Sequence, residues 1–383
     1  MKVRIERRMF ANWPWSLIGS MVLIAVIGLW NMASASRAPH VPLAGSQATF
    51  LVVGLVAATV VALLDHRWIQ RMVVPAYFLN LAALVALRFV GHKAKGATSW
   101  FLIGPWSVQP AEFMKLSLVM MLAKLFHDDF KPESPTYGFR RLLIPTIVTL
   151  VPAVLILTEP DLGTTLMMLL TALTLMVFAK LRWTVVLTLS LAGASAVGVV
   201  WNDYIREQSE PRWTLVRRAL KPHQDARIYG WLSPETDLRG VNYHQRQSRI
   251  AVGSGGLTGK GWKKGSQSGL RYLPEQHSDF IFSVWAEEQG FVACLTLIVL
   301  YGVVLVSALW VAYGARDRFG AFVAVGFSAM FFWQIFENIG MGTGLLPVTG
   351  ITLPLFSYGG SSMLSSMLAM GLLINISINR RAF

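Results

Sequence analysis

The chain has 383 residues, of which 54% are hydrophobic and 14% are charged, and its mean hydropathy is +0.51. This composition excludes an ordinary soluble domain and a disordered chain, and it is typical of a polytopic membrane protein. The net charge is +14, but the basic residues are scattered over loops and helix ends without an aromatic-interleaved patch. We therefore expect anionic lipid headgroups or lipid phosphates as partners, and no nucleic acid.

Apolar runs of about twenty residues predict ten transmembrane helices and an all-α fold. The first run follows a basic N-terminus and has no small-residue cleavage site, so it is predicted to be an anchor and not a removable signal. The single cysteine, Cys294, excludes a disulfide within the chain. The predicted spans lie near residues 15–32, 48–64, 73–89, 111–125, 142–157, 162–179, 183–201, 291–313, 321–341 and 363–378.

The distribution of Lys and Arg predicts how these spans are oriented. Ten spans place both termini on one side, and most basic residues of the short loops fall on that side. By the positive-inside rule, both termini are cytoplasmic in a multi-pass protein of the cytoplasmic (inner) membrane. The basic residues on the predicted inner side include Arg67, Arg71, Lys131, Arg140, Arg141, Lys180, Arg182, Arg316, Arg318, Arg380 and Arg381, against Arg37, Lys93 and Lys95 on the outer side.

The predicted orientation leaves one long segment, residues 202–278, outside the cytoplasm, within a single domain that covers residues 1–383. This segment contains a glycine-rich run, GSGGLTGKG, at residues 253–261. The run superficially resembles a phosphate-binding loop. The Walker pattern needs Ser or Thr directly after Gly-Lys, however, and here Lys260 is followed by Gly261. The sequence therefore predicts no nucleotide site in this loop.

The run GLLPVTGITLPLFSYGGSS at residues 344–362 interrupts the C-terminal apolar sequence. Its prolines lack a backbone donor and its glycines favour irregular backbone, so it cannot continue a lipid-facing helix. Irregular backbone at membrane depth is tolerated only where protein or a water-filled cavity satisfies its polar groups. We expect this segment to line a cavity, with Ser357, Tyr358, Ser361 and Ser362 in its wall.

Asp279 stands where the long loop re-enters the membrane. A partly desolvated carboxylate is a better general base near neutral pH, so Asp279 is a candidate catalytic residue. Asp is also a common helix cap, and spacing alone does not separate the two roles. On a continuous helix from Asp279, Glu287 would lie on nearly the same face, whereas Glu288 would point away and be solvated at the helix end.

Glu112 and Lys115 are three residues apart at the start of the fourth predicted span. On a helix they share a face and can pair. Ionisable residues at membrane depth are rare and usually face a cavity, so a structural salt bridge and a site for substrate phosphate both stay open. Farther along, Asp161 is predicted to cap the sixth span. No histidine stands at a metal-ligand spacing from another ligand on a helix, so a structural zinc site is not expected.

Taken together, these segments resemble the SEDS family (shape, elongation, division and sporulation). The resemblance covers almost the whole chain. The region at residues 233–267 is more similar to the elongation branch, RodA, than to the division branch, FtsW, and the short N-terminus is similar as well. The segments that carry the resemblance are GLLPVTGITLPLFSYGGSS with NIGMGTG before it, EPDLGTT (residues 159–165), QPAEFMK (109–115) and YLPEQHSDFIF (272–282).

The resemblance implies a peptidoglycan glycosyltransferase that polymerises lipid II during cell elongation and works with a class B penicillin-binding protein. The family's catalytic aspartate falls on Asp279, and its paired acid and lysine fall on Glu112 and Lys115. Ser357, Tyr358, Ser361 and Ser362 would shape the lipid II cavity. Two alternatives belong to other classes: a lipid II flippase, and a non-enzymatic scaffold that activates the penicillin-binding protein.

The chemistry that the resemblance implies needs charge stabilisation for a pyrophosphate leaving group. Lys115, basic loop residues or a divalent cation such as Mg²⁺ could supply it; no cofactor is certain, and the metal requirement is left open. Three positions depart from the family pattern: Ser99 stands where Arg is frequent, Glu159 replaces Gln, and Thr352 replaces Pro. Candidates to replace the arginine are Arg88, Lys93 and Lys95.

Overall fold

The computed structural model describes residues 13–36, 43–94, 97–104, 106–133, 136–159, 161–206, 231, 241–270, 272–273 and 275–380. Ten long helices in these ranges overlap the ten apolar runs of the sequence. They are α1 (Trp15–Ala35), α2 (Leu43–Leu63), α3 (His66–Val90), α4 (Pro110–Asp128), α5 (Phe139–Thr158), α6 (Leu162–Phe178), α7 (Trp183–Arg206), α10 (Ile281–Tyr313), α11 (Arg318–Thr343) and α12 (Gly360–Ile378).

Seven of these helices are long and apolar enough to cross a membrane: α1, α2, α3, α5, α10, α11 and α12. α6 is apolar but shorter, as is the apolar part of α7, Trp183–Ser195. α4 carries ionisable residues among its apolar ones, including Glu112 and Lys115. The chain is therefore a helical, multi-pass membrane protein.

A small antiparallel sheet between α3 and α4 is absent from the all-α prediction, which is wrong at this point. Its strands are β1 (His92–Ala94), β2 (Ala97–Ile103) and β3 (Trp106–Val108), in that order across the sheet. In the second hairpin Phe101 pairs with Val108 and Ile103 with Trp106. A search for apolar runs of helical length carries no signal for strands this short.

The centre of the bundle is formed by α4, α11 and α12, whose side chains are buried on most faces. Helix α12 packs closely on α2, where glycines let the backbones approach. A Cβ at Gly371 would collide with the backbone of Ala58, and a Cβ at Gly54 would press on Met367. Small residues at such contacts are typical of helix packing in membranes. Two of these three buried helices carry predicted site residues: α4 carries Glu112 and Lys115, and α12 carries Ser361 and Ser362.

Helix α10 starts ten residues before the predicted span, at Ile281, and is interrupted at Gly290 (φ 77°, ψ −174°). The part of α10 before Gly290 packs against two short helices of the long loop, α8 (Val241–Ser254) and α9 (Ser266–Gly269). Ser248 of α8 bonds both the Ser283 hydroxyl and the Gly342 carbonyl at 2.6 Å. The loop predicted at residues 202–278 is therefore partly helical; its residues 207–230, 232–240, 271 and 274 lie outside the described ranges.

The irregular backbone predicted after α11 is present. Gly344, in the left-handed conformation (φ 85°), ends α11, and α12 begins at Gly360. Residues 344–359 between them form neither helix nor strand ladder. Ser361 and Ser362 lie one step beyond this segment, in the first turn of α12.

Candidate functional site

A cavity of ≈ 530 Å³ lies where the starts of α4, α6, α10 and α12 meet the irregular segment 344–359. This size is within the range of small-molecule sites in proteins. The cavity brings together six of the seven site residues predicted from the sequence, all except Ser357. Its lining consists of Phe50, Trp100, Ser107, Gln109, Glu112, Lys115, Asp161, Thr164, Glu275, His277, Ser278, Asp279, Gly350, Ile351, Thr352, Tyr358, Gly359, Gly360, Ser361 and Ser362.

Helix α4 delivers an ion pair to the cavity. Pro110 lies in its first turn, where the fixed φ of proline suits a helix. The missing N–H of proline costs little there, because a first-turn N–H has no partner within the helix. Glu112 in that turn lies at the positive end of the helix dipole. Lys115 Nζ is 2.8 Å from Glu112 Oε2, and both residues are buried, which confirms the predicted pairing. Ser365 of α12 donates a further hydrogen bond to Glu112 Oε2 at 3.0 Å.

Asp279 is held in a tight turn just before α10. The N–H groups of Ser278 and Asp279 both donate to the Glu275 carbonyl at 3.1 Å. The N-cap residue of α10 is Phe280, and its side chain makes no capping hydrogen bond. Asp279 therefore does not occupy the N-cap position, which was the alternative to a catalytic role. Its carboxylate lines the cavity, close to Gly350, where a Cβ would lie 3.5 Å from Asp279 Oδ2.

The irregular segment is fixed against Asp279 by buried side chains of three helices. Asn338 of α11 donates to the carbonyls of both Asp279 (3.0 Å) and Ile351 (2.6 Å). Tyr301 of α10 donates to the Pro354 carbonyl at 2.7 Å. Gln47 of α2 donates to the Ser357 carbonyl at 2.9 Å. These bonds satisfy backbone groups that a regular helix would have paired.

Ser357 alone among the predicted site residues does not line the cavity. It is buried; its hydroxyl accepts from the Leu353 N–H (2.8 Å) and donates to the Ser278 carbonyl (2.6 Å). Tyr358 does line the cavity, and its N–H donates to the His277 carbonyl at 2.8 Å. Ser357 thus ties the irregular segment to the turn that carries Asp279, and Tyr358 faces the interior.

The start of α6 forms another wall of the cavity. Asp161 caps α6 by accepting from the Thr164 N–H at 3.0 Å, as predicted, and its other oxygen accepts from Gln109 Nε2 at 3.2 Å. The Gln109 N–H donates to Ser361 Oγ at 2.9 Å, which links this wall to α12. Burial raises the pKa of Asp161, and the Glu112 carboxylate acts in the same direction against the opposing effects of Thr164 and Lys115.

Two of the positions that depart from the family pattern are in contact. Ser99 Oγ donates to the Glu159 carbonyl at 3.4 Å, and both residues are buried. Burial raises the pKa of Glu159 to about 8; Asp161 adds to this shift, while Ser99 and Arg88 oppose it. Arg88 also donates to the Thr158 hydroxyl at 2.7 Å. Of the three candidate basic residues, Arg88 is therefore placed beside this pair; Lys95 and the side chain of Lys93 lie outside the described residues.

The acids that follow Asp279 do not join the cavity. Glu287 is fully buried and points to the glycine-rich loop, where its carboxylate accepts from Lys260 Nζ (2.8 Å), Ser266 Oγ (3.1 Å) and the N–H groups of Gln267 (2.9 Å) and Ser268 (3.2 Å). The expected solvation of Glu288 is wrong. It is 1% exposed and accepts from Ser34 Oγ at 2.7 Å, because the first turns of α10 lie alongside the last turns of α1, where Asn31 also donates to the Ile281 carbonyl.

Several lining residues were not singled out from the sequence. Glu275 and His277 precede Asp279 in the same motif, and His277 Nε2 lies 3.8 Å from Glu275 Oε2. Phe50 and Trp100 supply an apolar wall, with Phe50 packed edge-on against Trp106 at 5.6 Å between ring centroids. The proximity of Glu275 and His277 to Asp279 along the chain was a usable signal; Phe50 and Trp100 come from other elements and had none.

Two acidic groups of the cavity, Glu112 and Asp161, are engaged by protein donors. Within the described ranges, no three His, Cys, Asp or Glu side chains are grouped so that they could hold a metal ion. Glu112 is engaged by Lys115 and Ser365, and Asp161 by Thr164 and Gln109. Lys115 is a positive charge that the cavity itself supplies.

The fold and the cavity define a class: a multi-pass helical membrane protein with a buried polar site at one end of its bundle. The sequence profile of the FtsW/RodA/SpoVE family of cell cycle proteins matches residues 9–382. The chain belongs to this family, which confirms the resemblance to SEDS proteins.

Relatives come from several branches of the family. The chain is 34% identical to the peptidoglycan glycosyltransferase MrdB of Escherichia coli K12 over 331 residues, covering 86% of this chain and 84% of that protein. It is 36% identical to stage V sporulation protein E of Bacillus subtilis, covering 86% of each. It is 33% identical to the peptidoglycan glycosyltransferase RodA of Treponema pallidum, covering 86% of this chain and 88% of that protein.

Two solved structures are similar over nearly the whole chain. One belongs to a peptidoglycan synthase complex described as coordinating polymerization and crosslinking, with a TM-score of 0.80, 31% identity, and coverage of 96% of this chain and 98% of that one. The other is the rod shape determining protein RodA of Thermus thermophilus, with a TM-score of 0.70, 28% identity, and coverage of 97% and 98%.

Proposed function

We propose that the protein is a peptidoglycan glycosyltransferase that polymerises lipid II, with Asp279 as general base. The observation that carries the proposal is that Asp279, Glu112 and Lys115 line one cavity, although they come from distant parts of the sequence. Relatives that bear the name peptidoglycan glycosyltransferase, at 34% and 33% identity, support the activity.

In the reaction, the Asp279 carboxylate accepts the proton of the 4-hydroxyl of the terminal GlcNAc on the acceptor lipid II. The oxygen forms a bond to the anomeric carbon of MurNAc in the donor and inverts its configuration. The bond from that carbon to the diphosphate oxygen breaks, and its electron pair leaves with undecaprenyl pyrophosphate. One carboxylate suffices because the diphosphate leaves as an anion and needs charge stabilisation more than a proton.

Lys115 is the residue that we assign to the diphosphate. An ammonium has three N–H donors, and the ion pair with Glu112 uses one of them. Glu112 holds Lys115 in place and offsets part of the cost of keeping its charge buried. Tyr358, Ser361 and Ser362 provide hydroxyl groups in the same wall for the sugars or the diphosphate.

We further propose that ten helices span the cytoplasmic (inner) membrane, with both termini in the cytoplasm and the long loop outside. The Lys and Arg bias of the short loops supports this orientation. A class B penicillin-binding protein is the proposed partner, supported by the similarity to a chain of a peptidoglycan synthase complex. A role in elongation rests on the resemblance of residues 233–267 to RodA, because the relatives include other branches of the family.

Polymerisation of purified lipid II in detergent tests the activity. The Asp279→Asn variant should lose about 100-fold to 10,000-fold in rate, the usual contribution of a well-placed general base. A matched control is Asp128→Asn, since Asp128 is exposed and pairs only with Lys124 on the surface of α4. The control should polymerise at the wild-type rate. Near-normal glycan synthesis by Asp279→Asn would sink the assignment.

The same reconstitution separates the rival functions. An enzyme makes glycan strands from lipid II without a membrane gradient. A flippase would make none, but would move labelled lipid II across vesicles. A scaffold would do neither alone, and glycan would appear only when an active synthase is added.

A further inference from the structure

We propose that the glycine-rich loop at residues 255–264, here called the Trp262 loop, is a rigid platform that binds anionic phospholipid headgroups at the membrane surface on the side of the cavity. The geometry that points to this is the combination of a clamped backbone with exposed apolar and cationic side chains at the level where α10 leaves the membrane.

The backbone of the Trp262 loop is fastened to the interruption in α10. The N–H groups of Lys260 and Gly261 donate to the carbonyls of Glu287 (3.1 Å) and Glu288 (2.9 Å). In return, the Phe291 N–H donates to the Gly256 carbonyl at 2.9 Å. These bonds replace the helical ones that the turn at Gly290 breaks.

Glycine is required for this close approach. A Cβ at Gly255 would collide with the Ala286 carbonyl, and one at Gly259 would collide with the Glu288 carbonyl. Gly259 also has φ +79°, which L side chains rarely adopt. The carboxylate of Glu287 also accepts hydrogen bonds from Lys260 Nζ and from the N–H groups of Gln267 and Ser268. The glycine run is thus built to dock on α10, and its backbone donors are used within the protein.

The length of α10 indicates the depth of the Trp262 loop in the membrane. From Phe291 to Tyr313, α10 is about 34 Å long at 1.5 Å per residue, which is close to the ~30 Å hydrocarbon core of a bilayer. Gly290 therefore marks one membrane surface, and the loop fastened to it lies at the headgroup level. Trp262 stacks on Trp30, near the end of α1, with 6.0 Å between ring centroids and 9° between planes.

The side chains that the clamped loop turns outward suit an anionic lipid surface. Leu257 is 70% exposed and Trp262 is 40% exposed. Lys263 and Lys264 are also exposed, and Lys263 Nζ lies 4.4 Å from the centre of the Trp262 ring. Trp residues concentrate at membrane interfaces, and nearby lysines attract anionic headgroups. Lys260 is excluded from this role because Glu287 holds its charge.

Photocrosslinking tests the platform on the full chain in nanodiscs. Phosphatidylglycerol and phosphatidylcholine, each with a diazirine in the headgroup, are the two probes, and peptide mass spectrometry reads the label on residues 255–264. We expect phosphatidylglycerol to label this peptide about fivefold more than phosphatidylcholine. In the double variant Lys263→Gln/Lys264→Gln the ratio should fall to about one, with the melting temperature unchanged because both side chains are exposed.

A matched control is Lys131→Gln/Lys180→Gln, which removes two exposed lysines elsewhere and should leave the ratio at the Trp262 loop unchanged. Equal labelling by the two probes in the wild type would overturn the proposal, as would a ratio that survives the loss of Lys263 and Lys264. Absence of label from both probes would also overturn it, since the loop would then face water or a protein partner.

Discussion

Asp279 and Glu287 lie on either side of the start of α10 and have opposite surroundings. Glu287 is enclosed and receives four hydrogen bonds from the glycine-rich loop and the residues after it. Asp279 faces a cavity of ≈ 530 Å³ lined by other polar groups. The difference teaches that an acid near the membrane surface can be enclosed by donors of the protein or can line a cavity that is open to a ligand.

The largest loss of stability is expected from splitting the ion pair on the cavity side. Lys115→Met leaves the buried Glu112 carboxylate without its cation and should cost about 4 kcal/mol of unfolding free energy. The double variant Glu112→Gln/Lys115→Met should recover most of that loss, because no charge stays buried. Chemical denaturation in one detergent measures both. Equal losses in the single and double variants would mean that the pair is not coupled.

A somewhat smaller loss of stability is expected when the contacts of Glu287 with the glycine-rich loop are removed. Glu287→Ala removes the acceptor of four donors and should cost about 3 kcal/mol, since Lys260 remains partly exposed and can be solvated. Glu133→Ala, at an exposed position, is the control. The same denaturation assay reads the result. If Glu287→Ala melts like the control, the loop is not held by this carboxylate.

Ser357 and Tyr358 are neighbours that separate a structural hydroxyl group from one that lines the cavity. Ser357→Ala leaves the Leu353 N–H unpaired and should cost about 2 kcal/mol, with a fall in polymerisation because the turn at Asp279 loses its tie. Tyr358→Phe should lower polymerisation without lowering the melting temperature, since its hydroxyl is assigned to substrate. The assignment of Tyr358 is wrong if both variants lose stability equally.

A further effect is a pH dependence at the edge of the cavity. Because the pKa of Glu159 is raised from 4.5 to about 8, protonation favours the folded state. Its contribution to stability is complete below about pH 4.5 and is lost as the pH rises through about 8. Glu159→Gln stays neutral, so its melting temperature should fall less than that of the wild type between about pH 6 and pH 9. Parallel melting curves over this range would exclude the shift.

The sequence was sufficient for the long helices, for the Glu112 and Lys115 pair, and for an irregular segment beside a cavity, because apolar run length, helical spacing and proline chemistry are local properties. It was insufficient for the three strands, for the start of α10 ten residues before the predicted span, and for the burial of Glu288. Each of these depends on packing between elements far apart in the chain. The glycine run shows the same limit: its composition excluded a Walker loop, but only contacts with α10 reveal its use.

Ser357 and Ser361 show how fine this limit is. Both are hydroxyl residues of one motif, yet Ser357 bonds to the backbone groups of Leu353 and Ser278 without lining the cavity, and Ser361 lines it. Ser357 lies in the irregular segment, whereas Ser361 lies in the first turn of α12. No pattern of residue types specifies which hydroxyl group faces the cavity, so the sequence alone assigned both to the substrate.

The most direct test of Asp279 as general base compares substrate binding with turnover in Asp279→Asn. Binding of lipid II to the purified variant is measured by titration, and polymerisation is measured on the same preparation. The account predicts an unchanged melting temperature, an affinity for lipid II within about threefold of wild type, and a rate lower by about 100-fold or more. A variant that loses affinity in proportion to rate, or that polymerises normally, would contradict it.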